Sequence, residues 1–140
     1  MLLASEGRAI PASAVAHAAQ LARERGGRVH VFSVARVWGS GFGLPNPGLL
    51  PSKSEWDEQR AVVGDAVQKL KRQGVKATGQ VLATRKATKR IVREAERLGC
   101  SAIVMAADPP RNRFVADLMW SQEPYRVQRR AKVPVHLVPG

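Results

Sequence analysis

The residues best suited to chemistry lie in the last third of the chain. An apolar run, Ala102-Ile103-Val104-Met105-Ala106, opens into Asp108-Pro109-Pro110-Arg111-Asn112-Arg113 and later into Trp120-Ser121-Gln122-Glu123-Pro124. A buried parallel strand, a loop and a helix start are the parts of an anion site, because the first N–H groups of a helix lack internal partners and carry the positive end of its dipole. In that setting Ser121 and the N–H groups of Gln122 and Glu123 face an anion, and Arg111 and Arg113 supply charge. The plain alternatives are a helix cap for Ser121 and solvation for the arginines. Yet no glycine occurs from Cys100 to Pro139 in a chain that has 12. Phosphate loops favour glycine, which lets backbone N–H groups approach the ligand at positive φ. Bulk and two prolines stand there instead. A nucleotide-type scaffold is expected, with the site itself filled in.

No second constellation competes. Gly39-Ser40-Gly41-Phe42-Gly43 is followed by neither Lys-Ser/Thr nor a helix start, so a flexible loop is expected rather than a phosphate loop. His17, His30 and His136 have no metal spacing, and no metal site is expected. Ser33 and Ser121 lack a histidine–acid pair, so a catalytic role is not expected. The single cysteine, Cys100, excludes an internal disulfide and fits a small hydrophobe in a reducing compartment. Lys86, Arg90, Arg93 and Arg97 form a stripe on one helix, diluted by Glu94 and Glu96 and without interleaved aromatics. A solvated face, not a nucleic-acid groove, is the expectation.

Net charge is +12, from 23 basic against 11 acidic residues. The excess is spread along the whole chain with a modest peak over 84–97, as a solubilising exterior would be. No apolar run reaches membrane-spanning length, and the opening Met1-Leu2-Leu3-Ala4 has no basic region before it. A cytoplasmic chain of one domain, residues 1–140, is expected.

These residues must be positioned by alternating strands and helices. Strands are predicted at Leu2–Ala4, Val29–Val34, Val75–Leu82, Ala102–Ala106 and Val133–Val138. Helices are predicted from Ile10 to Arg25, with Pro11 in the first turn, from a Ser54 cap to about Gln73, from Lys86 to Leu98, and after a Ser121 cap. Trp56, Val63, Val67 and Leu70 are the expected inner face of the second helix. Residues 35–52, rich in Gly and Pro, read as a loop. This order implies an α/β fold: an open, doubly wound, five-stranded parallel sheet with helices on both faces and a ligand crevice at the carboxyl ends of the strands.

Several segments together resemble the universal stress protein family: the opening Leu2-Leu3-Ala4-Ser5-Glu6-Gly7-Arg8, the helix Ala14–Ala22, the strand Val29–Val34, the stretch Ile91–Met105 and the closing Ala131–Val138. The resemblance implies strand order 3-2-1-4-5. Nucleotide-binding members carry Gly, two residues, Gly, nine residues, then Gly-Ser or Gly-Thr after the fourth strand. Here those positions are Ala106, Pro109 and Met119-Trp120 or Trp120-Ser121, so each motif glycine is replaced, once by a residue with no N–H. The family's early aspartate corresponds to Glu6. By resemblance, Glu6, Val34, Met105, Ala106, Arg111, Arg113, Ser121 and Gln122 surround the ligand position. The departures imply a non-catalytic domain without cofactor, not binding ATP, that acts in stress response or regulation. It would form a homodimer through Val133–Val138 and meet a protein partner at Trp120. The alternative is a sensor of ATP, AMP, cyclic AMP or another anion in a remodelled loop.

Overall fold

The structure, a computed structural model, describes residues 1–36, 53–84, 86–107 and 123–139. In chain order the elements are β1 (Leu2–Ser5), α1 (Ala12–Arg25), β2 (Val29–Arg36), α2 (Lys53–Arg72), β3 (Ala77–Thr84), α3 (Ala87–Arg97), β4 (Ile103–Ala106), α4 (Glu123–Arg130) and β5 (Val135–Val138). They build one parallel sheet in the order β3-β2-β1-β4-β5. The expected doubly wound fold is therefore present. Right-handed crossovers run outward from β1 and then reverse, which places α1 and α2 on one face and α3 and α4 on the other.

The central strands alternate their side chains between two cores. Leu3, Val29, Val31 and Val104 pack under α1 and α2 with Ala14, Ala18, Val63 and Leu70. Leu2, Ala4, Phe32, Val34, Ile103 and Met105 pack under α3 and α4 with Ile91, Ala95 and Val127. Strands buried on both faces must be apolar throughout, which is why β1 and β4 read as unbroken hydrophobic runs.

Element boundaries shift from expectation for local reasons. α1 starts at Ala12 rather than Ile10. Pro11 is extended (φ −70°, ψ 157°) and its carbonyl accepts from Ala14 and Val15, while a residue before proline is disfavoured in helical conformation. Ser54 lies inside the first turn of α2 and is not its cap. That helix closes on Gly74 (φ +78°), with the Val75 N–H bonded to the Leu70 carbonyl and the Val75 side chain buried against the core. Val75 is spent on the helix end, so β3 begins at Ala77. β5 begins at Val135, later than Val133, because Pro134 has no N–H to enter the ladder.

The inner face of α2 also differs from expectation. Gln59, Val63, Ala66 and Leu70 are buried, whereas Trp56 and Val67 are half-buried. The helix comes so close to β3 that a Cβ on Gly79 would stand 2.5 Å from Val63 Cγ1 and 3.0 Å from Val67 Cγ2. Glycine at that position is what allows the approach.

Candidate functional site

The crevice of such a sheet lies beyond the carboxyl ends of its strands. There β1 runs into Glu6-Gly7-Arg8. The Ser5 hydroxyl accepts from the Gly7 N–H at 3.1 Å and donates to the Arg8 carbonyl, while Gly7 takes φ +121°, a conformation that favours glycine. The turn is held from below by α2 and β2. Gln59 Nε2 donates to the Gly7 carbonyl at 2.8 Å, and the Ser33 hydroxyl donates to Gln59 Oε1. Ser33 and Gln59 are both fully buried. This relay Ser33–Gln59–Gly7 spends the only large polar group of the α2 inner face on fixing the β1 turn.

Glu6 projects from that turn with its side chain 3% exposed, and Arg8 Nε stands 2.6 Å from its Oε1. A carboxylate this buried needs a cation or several donors. Arg8 supplies the cation, so the carboxylate that resemblance places beside the ligand is already engaged by a residue two positions away. Register places the neighbouring candidates beside it: Ser5 lies opposite Ser33 and Ala4 opposite Met105, so Val34 and Ala106 are the next residues along the flanking strands. Val34 and Met105 belong to the core under α3 and α4, and Ala106 to the core under α1 and α2. They are buried in those cores and offer no side-chain donor. Arg111, Arg113, Ser121, Gln122 and Trp120 lie outside the described residues. The Ser33 hydroxyl bonds to an amide rather than to a base, so nothing activates it as a nucleophile.

Next to this end, α3 and α4 meet. The Thr88 hydroxyl donates to the Glu123 carboxylate, tying the two helix starts together. A cleft of about 540 Å³ between them is lined by Lys86, Thr88, Lys89, Glu123, Arg126 and Arg130. A second, of about 280 Å³, adds Arg90 and Arg93. Charge that is diffuse along the sequence is gathered by the fold, because α3 and α4, the two helices in which cations most outnumber acids, cover the same face. On the other face α2 balances its cations with Asp57–Arg60 and Asp65–Lys69 pairs.

Besides the Gln59 relay, three arrangements escaped the sequence reading. Glu94, expected to flank the basic stripe, is 2% exposed. It is held by Arg97 Nη2 at 2.8 Å and Nε at 3.2 Å, with Arg90 at 3.7 Å. The bonded Arg97 guanidinium holds the Glu94 carboxyl below the usual carboxylate range despite burial. His30, bonded through Nδ1 to Thr78 Oγ1 at 2.7 Å, has its imidazole pushed below the ordinary value by burial. The third is a contact between His17 Nε2 and His136 Nδ1 at 3.3 Å, joining α1 to β5. Only Gln59 had a readable signal, since it lies at helical spacing with Val63, Ala66 and Leu70. Burial raises the Cys100 thiol, as suits a small hydrophobe rather than a nucleophile. Among the described residues no three His, Cys, Asp or Glu side chains group to hold a metal, and no helix is long and apolar enough to cross a membrane.

No curated protein matches the chain. Among solved structures it is similar to a protein of the universal stress protein family from Burkholderia pseudomallei, at 23% identity over 99% of this chain and 94% of that one, with TM-score 0.70. It is similar to the universal stress protein from Archaeoglobus fulgidus in complex with dAMP, at 22% identity over 98% and 94%, TM-score 0.72. A universal stress protein in complex with cAMP shares 16% identity over 98% and 94%, TM-score 0.70. At such identities the likeness carries the fold. The model of the universal stress protein family itself matches residues 1–139. The chain belongs to the universal stress protein family.

Proposed function

We propose that this chain is a non-catalytic, cytoplasmic single domain that takes no ATP and acts in stress response or regulation through a homodimer and a protein partner. The observation that carries this reading is the state of the strand ends. Every glycine of the nucleotide motif is replaced, at Ala106, at Pro109 and at Met119-Trp120 or Trp120-Ser121. Glu6, the nearest acceptor, is paired with Arg8. Relatives that carry dAMP or cAMP share the fold. Here the motif positions carry larger residues than glycine, and Pro109 has no N–H to donate. Trp120 is the partner contact in this reading, as a large aromatic at a helix entrance.

The homodimer rests on β5, the last strand of the sheet, paired on one side by β4. The Pro134 and Val138 carbonyls accept from Ile103 and Ala107. Alternate residues of a parallel strand turn their backbone groups to opposite sides, so Val135 and Leu137 offer theirs to the free edge. A half-buried apolar edge of this kind is a template for a second strand. Val135→Pro removes an outward donor and leaves the β4 ladder intact. Sedimentation is expected to show a dimer for the parent and a folded monomer for the variant. A monomeric parent contradicts the reading.

A second reading is favoured by the cationic cleft lined by Lys86, Lys89, Arg126 and Arg130: a nucleotide or anion sensor that uses Arg111, Arg113, Ser121 and Gln122 in a remodelled loop after β4. It predicts a nucleotide-dependent rise in Tm that an Arg111→Ala, Arg113→Ala variant loses.

A further inference from the structure

His17 and His136 are far apart in sequence and meet only because α1 packs along the outer strand of the sheet. Their facing nitrogens, Nε2 of His17 and Nδ1 of His136, are 3.3 Å apart, and both side chains are part-buried. The rings stand at 48° to each other with centroids 5.1 Å apart, closer than two rings whose nitrogens met head-on. The lone-pair axes are therefore tilted away from the line joining the nitrogens, so the hydrogen bond that one tautomer allows is bent. Two Zn–N bonds of about 2.0–2.1 Å at the tetrahedral angle set their nitrogens about 3.3–3.4 Å apart. The observed spacing is that of two ligands to one borderline metal ion.

The site also has the required mounting. One turn before His17, the Ser13 hydroxyl donates to the Pro139 carbonyl at 3.0 Å, fixing α1 against the end of β5. His136 lies opposite Val104 in the ladder, on the face that α1 covers. Burial, the His17 ring and the Arg25 charge all push the His136 imidazole below its ordinary value. Neutral imidazole is the form that binds metal.

We propose that His17 and His136 form a bis-imidazole site for a borderline divalent cation, zinc or copper(II), that clamps α1 to the outer strand. Among the described residues no third His, Cys, Asp or Glu joins them, so water fills the remaining positions and the site is open. The nearby Arg25 charge keeps the affinity moderate. The inference is independent of whether the chain binds a nucleotide or dimerises.

The test is thermal unfolding of the whole chain at pH 7.5 with EDTA, then with zinc, copper(II) or magnesium at about 1 mM. Zinc is expected to raise Tm by about 3 °C or more, copper(II) by more than zinc, and magnesium by nothing, following ligand softness and the order of divalent stabilities. His17→Gln, a change on a half-exposed helix position, keeps the fold and loses the zinc response, as does His136→Gln. His30→Ala retains it. Equal responses in the parent and both glutamine variants, or no response to zinc and copper(II) in the parent, overturn the proposal. Should one variant fail to fold, isothermal titration of zinc into the parent and the other variant still decides.

Discussion

Gln59→Ala is expected to destabilise the domain by about 2–4 kcal/mol, the largest effect of any single polar side chain among the described residues. The amide is fully buried and serves two partners at once, the Ser33 hydroxyl and the Gly7 carbonyl. Truncation leaves both without a partner in a site closed to water, and adds a cavity under α2. Ser33→Ala removes one end of the relay and relieves one demand on the amide, so its cost is expected to be near 1 kcal/mol. Urea denaturation of the three proteins checks the ranking. If the two substitutions cost the same, or if both fall below about 0.5 kcal/mol, the relay does not hold the β1 turn.

Glu94→Gln is the second large effect, expected at about 1–2 kcal/mol near neutral pH. The carboxylate is buried, but its main partner Arg97 faces solvent, so the cost lies below that of breaking a wholly buried pair. Its signature is in the pH dependence. Glu94 is held below the usual carboxylate value by Arg97, so its contribution is complete above the unfolded value of 4.5 and is lost as pH falls through its folded pKa. His30 and His136 are both lowered from 6.5 by burial. An unfolded imidazole takes up a proton near that pH while the folded one resists, so stability begins to fall already as pH drops below about 6.5. Two successive losses are expected in the parent on acidification, the first from the imidazoles and the second from Glu94. Glu94→Gln removes the second and leaves the first. Urea midpoints at several pH values between 8 and 3 check this, and an unchanged acid limb in Glu94→Gln contradicts it.

The sheet and its winding were legible because strands buried on both faces have to be apolar and their crossover helices amphipathic. Both patterns survive in a single sequence. Boundaries were less legible where one residue serves two elements, as Val75 does in capping α2 rather than starting β3. The site was legible only in its covalent facts, the missing glycines and the proline at position 109. That Glu6 is committed to Arg8, and that Gln59 turns inward to hold Gly7, depends on strand ends and a helix brought together from distant positions. Polar residues at helical spacing with valines and leucines, as Gln59 is, give a partial signal of burial. Glu94 gave less, because a glutamate between arginines on a helix looks the same whether it faces water or the sheet. The gathering of Lys86, Lys89, Arg126 and Arg130 around one cleft follows from α3 and α4 sharing a face, which no count of charge along the chain contains.

Fold membership and ligand capacity are separate properties here. The family scaffold accommodates dAMP and cAMP in some relatives. In this chain Val34 and Met105 are fully buried, Ala106 is nearly so, and Glu6 is ion-paired with Arg8. On this account evolution kept the sheet as an assembly platform while its strand ends lost the means to hold phosphates.

Isothermal titration of ATP, AMP and cyclic AMP into the purified chain meets that account most directly. No heat of binding is expected for any of the three at concentrations up to about a millimolar, where a functional nucleotide site would be saturated. Binding of even one of them with micromolar affinity would contradict it.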